Sequence, residues 1–224
     1  MPIETSGRRP LKTRDWPFFK NLAAWLARSG ATPNGISFMS IVFGCLAGAS
    51  LAATSHLGGW AVRACWLGAA VCIQLRLIAN LLDGMVAVEG RKGGPVGDLW
   101  NEAPDRVSDA AIFIGAGYAL GSAPVLGYGA ALVAVFVAYI RALGASVGVG
   151  QIFLGPQAKQ QRMAVTTVAC VLSAVFPWTA WGMMAGGPLF TIIEAGLVVI
   201  IVGGVFTAWR RLARLAALLR EKAH

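Results

Sequence analysis

Asp83, Glu89, Asp98, Glu102, Asp105 and Asp109 crowd into one stretch, NLLDGMVAVEGRKGGPVGDLWNEAPDRVSD, of a chain that has only ten acids. Asn80, Asp83, Gly84 and Ala87 are spaced i, i+3, i+4, i+7, so a helix turns all four to one face. Gly97, Asn101, Asp105 and Asp109 follow at one-turn intervals, which gives a second helix its own polar stripe. Between the two runs EGRKGGPVG breaks the helix, because it carries adjacent glycines and a proline. Two helices therefore meet through a short turn, with oxygen-bearing faces able to point at each other. Converging carboxylate and amide oxygens suit a hard divalent cation such as Mg2+, which keeps waters and takes substrate phosphates as further ligands.

The rest of the chain must hold these faces in an apolar setting. Of 224 residues 57% are hydrophobic and 13% charged, too apolar a mixture for an ordinary soluble domain. The net charge of +9 sits in short clusters at the ends of apolar runs, the pattern of cytoplasmic anchoring, and excludes nucleic acid as the partner. Cys45, Cys65, Cys72 and Cys170 lie inside apolar segments without metal-type spacing, and His56 and His224 are isolated. Arg8 and Arg9 are followed by charges rather than an apolar run, so no signal peptide is expected.

The pattern predicts an all-α membrane protein: six transmembrane helices preceded by an amphipathic juxtamembrane helix. Residues 1–30 form an N-terminal tail and an interfacial helix with Trp16 and Trp25 at headgroup depth. Residues 31–209 form the catalytic domain and 210–224 a basic tail helix. Thr32 or Asn34 caps the first span, Ile36 to Thr54, which is long enough to cross a core of about 30 Å. The second span runs from about Trp60 to Val88, the third opens with the second polar stripe, and the fourth runs from Val125 to Ile140. The fifth covers about Met163 to Met184 and the sixth Leu189 to Trp209. Arg76 lies well inside the second span, where it faces either substrate phosphates or an interhelical partner. Asp109 is expected to pair with a buried arginine, Arg76 or Arg106. Glu194 is either glue between helices or a polar contact at the far end. Gly115, Gly117 and Gly121 allow close helix approach. Counting basic residues puts both termini and the polar stretch on the cytoplasmic side.

The stretch from Asn80 resembles the signature of the CDP-alcohol phosphotransferases, D-x2-D-G-x2-A-R-x8-G-x3-D-x3-D. Asp83, Gly84, Ala87, Gly97 and Asp105 match in register, with Asn80 and Asn101 in place of the first and third Asp and Val88 in place of Arg. The paired asparagines look like a bacterial subgroup, which would place the chain in a bacterial inner membrane. The resemblance implies attack by an acceptor hydroxyl on the β phosphorus of a CDP-linked donor, most simply CDP-diacylglycerol, with release of CMP in phospholipid synthesis. It implies Asn80, Asp83, Asn101 and Asp105 as ligands of Mg2+, or of Mn2+, and Asp105 as general base; ligand and base roles are not separable in sequence. Asn34, Asp83, Gly84, Ala87 and Gly97 would lie along the nucleotide, and Arg141, Lys159 and Arg162 along the acceptor or its phosphate. It also implies a homodimer among membrane lipids. Each Asn keeps a carbonyl oxygen but gives up a charge, so one firm cation site is expected rather than two. Asp98 is better placed than Glu102 to compensate. The acceptor is open, with the basic residues leaning toward a phosphorylated alcohol. Three other readings stand beside this one. The asparagines allow a catalytically impaired scaffold. A UbiA-like prenyltransferase would need a second acidic motif late in the chain, and a transporter would spread polar residues over several spans.

Overall fold

The computed structural model describes residues 15–89, 97–176 and 191–222, and among them all regular structure is helical. The helices are α1 (Pro17–Arg28), α2 (Pro33–Ala53), α3 (Trp60–Glu89), α4 (Gly97–Gly117), α5 (Pro124–Ser146), α6 (Lys159–Val175) and α7 (Ile192–Lys222). Prolines open α1, α2 and α5, where a missing N–H costs nothing. Thr32 rather than Asn34 caps α2, its hydroxyl accepting from the Gly35 N–H at 3.1 Å. At the start of α7, Thr191 and Glu194 form a reciprocal capping box: the Thr191 N–H donates to Glu194 Oε2 at 3.0 Å, and the Glu194 N–H to Thr191 Oγ1 at 3.3 Å. Glu194 is thus spent on a helix end.

Among the described residues four helices, α2, α3, α5 and α7, are long and apolar enough to cross a membrane. The six expected spans are therefore not all matched. α4 carries the acids of the second stripe in its first 13 of 21 residues, and described α6 stops after 17 residues. The expected fifth span reaches into 177–190, outside the described residues. Two boundaries also shift: α5 runs past Arg141 to Ser146, and α6 takes in the polar end of the expected linker from Lys159. The basic tail continues α7 without a break.

α2 to α7 close a ring. α2 packs on α3 and α4, α4 on α5, α5 on α7, α7 on α6, and α6 back on α3. α1 docks outside it, laying Phe19, Leu22, Ala23 and Leu26 on Leu82 and Val86 of α3 while Trp16, Phe18 and Trp25 stay exposed. An apolar core of Leu51, Ile73, Ile112, Phe113, Leu197 and Ile200 fills the other end of the ring.

Along the α2–α4 seam the glycines leave no room for side chains of their own. A Cβ on Gly44 would stand 2.6 Å from Ser108 Cβ, one on Gly48 2.2 Å from the Ala111 carbonyl oxygen, and one on Gly115 2.2 Å from the Gly48 carbonyl oxygen. Gly44 and Gly48 form a G-x-x-x-G pair that lets two backbones touch. Gly117 meets Gly127 of α5 in the same way, whereas Gly121 serves a turn at φ 70°. Gly48→Val is expected to destabilise the protein by about 3 kcal/mol, because backbone cannot rotate away from the added methyls. A detergent-unfolding midpoint left unchanged would show that the seam is not that close.

Candidate active site

α3 and α4, which carry the two polar stripes, hardly touch through their backbones. Charged side chains fill the space between them. Arg76 of α3 is fully buried and reaches two carboxylates of α4, with Nη2 3.1 Å from Asp105 Oδ1 and 2.6 Å from Asp109 Oδ1. From α6, Arg162 Nη2 donates to Asp109 Oδ2 at 2.9 Å, and its Nη1 donates to the Gln157 carbonyl. Asp109 therefore pairs with Arg76, as one of the two expected alternatives had it, and with Arg162. Arg106 points instead to Glu102, 3.3 Å away, with Asp105 Oδ2 at 3.7 Å.

Asp105 is the hub. Its Oδ2 accepts from Lys159 Nζ at 2.6 Å, and its Oδ1 accepts from Arg76 and from the Asn80 amide nitrogen. Asn80 thus presents its N–H2 to the carboxylate rather than its carbonyl. Asp83, one turn further along α3, is nearly buried. Ser37 of α2 donates to its Oδ2 at 2.8 Å, and its Oδ1 has no partner. Asn80, one turn before Asp83 on the same face of α3, bonds Asp105, so the two aspartates lie along one polar gap between α3 and α4. Five cations, Arg76, Arg106, Arg141, Lys159 and Arg162, meet four carboxylates, Asp83, Glu102, Asp105 and Asp109, leaving one positive charge in excess. Buried Arg76 Nε and Nη1 and Arg162 Nε also lack partners.

The other expected site residues fall around this hollow or away from it. Gly84 and Ala87 follow Asp83 on α3, half-buried, and Gly97 opens α4. The side chains of Asp98 and Asn101 lie outside the described residues. Asn34 is exposed beside the α2 cap. Arg141, at the mouth, grips both oxygens of half-exposed Glu102 and stacks 6.0 Å from the centre of the Phe153 ring. Of the three basic side chains expected along a phosphate, Lys159 and Arg141 keep part of their surface open, while Arg162 is buried in the network. Ser37 was not anticipated. It lies one turn beyond Pro33, and only its register on α2 would have turned it toward Asp83.

Among the described residues no group of three or more His, Cys, Asp or Glu side chains converges as a metal centre. One hard cation nevertheless fits at Asp83. Its Oδ1 is a buried carboxylate oxygen with nothing bonded to it, an atom whose desolvation is otherwise uncompensated. Asp105 has no such free oxygen.

No protein-family model matches the sequence, and no curated protein sequence does. Solved structures do. Phosphatidylinositol phosphate synthase of Mycobacterium tuberculosis with CDP-DAG bound superposes with a TM-score of 0.69 at 19% identity, over 89% of this chain and 94% of that one. The same enzyme in complex with manganese and citrate gives 0.70 at 19% identity, over 88% of each chain. Its apo form gives 0.64 at 21% identity, over 86% of this chain and 93% of that one. The chain is thus built on the fold of a CDP-alcohol phosphotransferase, the phosphatidylinositol phosphate synthase.

Proposed function

We propose that the chain is an integral membrane phosphatidyltransferase that moves a phosphatidyl, or other substituted phosphate, group from a CDP-linked donor to an alcohol hydroxyl, releasing CMP. The observation that carries this reading is Asp105 of α4 bonded to Asn80 of α3, one turn from Asp83, and to Lys159, with positive charge in excess around them. The fold held in common with a structure that contains CDP-DAG supports it. In this reading α4 and α6 cross the bilayer beside the four apolar helices, and the hollow opens to the cytoplasm.

The chemistry asks three things of the chain. The donor pyrophosphate must be neutralised, which the excess cations supply, with Arg76 and Arg162 still holding unused N–H groups. The hydroxyl must be held in line with the β phosphorus, so that its oxygen bonds to phosphorus as the bond to CMP breaks and CMP leaves with the electron pair. The hydroxyl proton must go to a base, and Asp105 takes it once one of its cationic partners lets go. Arg76 is fixed between two carboxylates, whereas the side chain of Lys159 is 29% exposed and is the partner able to move. A divalent ion at Asp83, Mg2+ or Mn2+, would add charge neutralisation at the pyrophosphate. An acceptor phosphate reaches Arg141 by displacing Glu102.

One observation favours a second reading, an inactive scaffold: both oxygens of Asp105 are already taken. Purified protein given CDP-diacylglycerol, Mg2+ and glycerol phosphate, serine or an inositol phosphate separates the two. CMP release with one of these acceptors is expected. None with any of them, or release untouched by Asp83→Ala, would overturn the transferase.

A further inference from the structure

Lys159 is the first residue of α6 and Arg162 stands in the same turn, which carries no acid. Cations there face the positive end of the helix dipole, the end that favours anions. Their placement is offset from another helix, by Asp105 and Asp109 of α4. Asp105 is surrounded by positive groups: Lys159 at 2.6 Å, Arg76 at 3.1 Å, Arg106 at 3.7 Å and the Asn80 amide N–H. A divalent ion set on Asp105 would have the Lys159 ammonium, 2.6 Å from Asp105, as a repelling neighbour. Asp83 offers the opposite environment. It is 4% exposed, with one oxygen held by Ser37 and the other free, and among the described residues no cation is in ion-pair contact with it.

The geometry points to Lys159 as a resident cation, its ammonium standing beside Asp105 so that the hollow takes one divalent ion, on Asp83, and none on Asp105. Resting on the transferase reading, the same residue gains a task in turnover. An incoming pyrophosphate draws the ammonium from Asp105 to its own oxygens, and the freed carboxylate accepts the hydroxyl proton. Charge entering with the substrate thereby uncovers the base, and an empty site keeps it covered.

Counting Mn2+ on the purified full chain in detergent, without nucleotide, tests this by the loss of the free-ion paramagnetic resonance signal. One Mn2+ per chain is expected for the native protein and for Lys159→Arg, which keeps the charge. Two are expected for Lys159→Met, and none for Asp83→Asn. Two ions on the native protein, or none, would overturn the proposal. So would a count that stays at one in Lys159→Met, with its folding checked by gel filtration and thermal melting. The count is independent of turnover. Two ions on an active transferase would sink this inference alone, whereas one ion on a chain that releases no CMP would sink the function alone.

Discussion

Replacing Asp105 with asparagine is expected to lower the turnover number for CMP release by about 10²–10⁴-fold, the range that a positioned general base contributes. The exchange keeps the shape of the side chain and a carbonyl oxygen for Lys159 or Arg76, but removes the lone pair able to hold the proton. Arg76 retains Asp109 at 2.6 Å and Arg162 is not involved, so the hollow should keep its form. The donor KM should therefore move far less than the turnover number. Folded Asp105→Asn protein losing less than about tenfold would remove Asp105 from the base role.

The largest effect on stability is expected at Arg76. Its guanidinium is fully buried and joins Asp105 to Asp109, among the described residues the only ion pair from α3 to these two carboxylates. Arg76→Met fills a similar volume but leaves Asp109 with Arg162 alone and takes one partner from Asp105. Removing one member of a buried ion pair typically costs about 3–5 kcal/mol, because the remaining charge stays desolvated. A fall of that size in unfolding free energy, read by titration with a denaturing detergent, is the expected result. Arg76→Lys should lie between, since an ammonium keeps the charge but lacks the planar fork that spans two carboxylates. A variant as stable as the native chain would mean that the network does not hold α3 to α4.

That each stripe shares one face of its helix was legible from helix periodicity, since Asn80 and Asp83 lie three apart and Asp105 and Asp109 four, whatever the tertiary fold. What lies 46 to 54 residues apart was not. Lys159 bonds Asp105, Arg162 bonds Asp109 and Ser37 bonds Asp83 only after helix rotations are set, and no local pattern encodes those rotations. Arg162 was expected along a phosphate because the family resemblance implies basic residues there that meet the substrate. With the helix starting at Lys159, its side chain turns inward to Asp109. The tight α2–α4 contact rests on Gly44 and Gly48, which nothing local sets apart within an uncharged span. Arg76 could be narrowed to a partner or a phosphate by the expense of burying a charge, but choosing between them needed the position of α4.

The seam between α2 and α4 makes those two helices a single stiff wall, since backbone pressed on backbone leaves no rotamers to rearrange. The opposite boundary, α3 against α4, is spanned by long side chains that can lengthen, swing and re-pair. Any widening between these helices is therefore expected along the ionic α3–α4 side, with the α2–α4 wall as the fixed part.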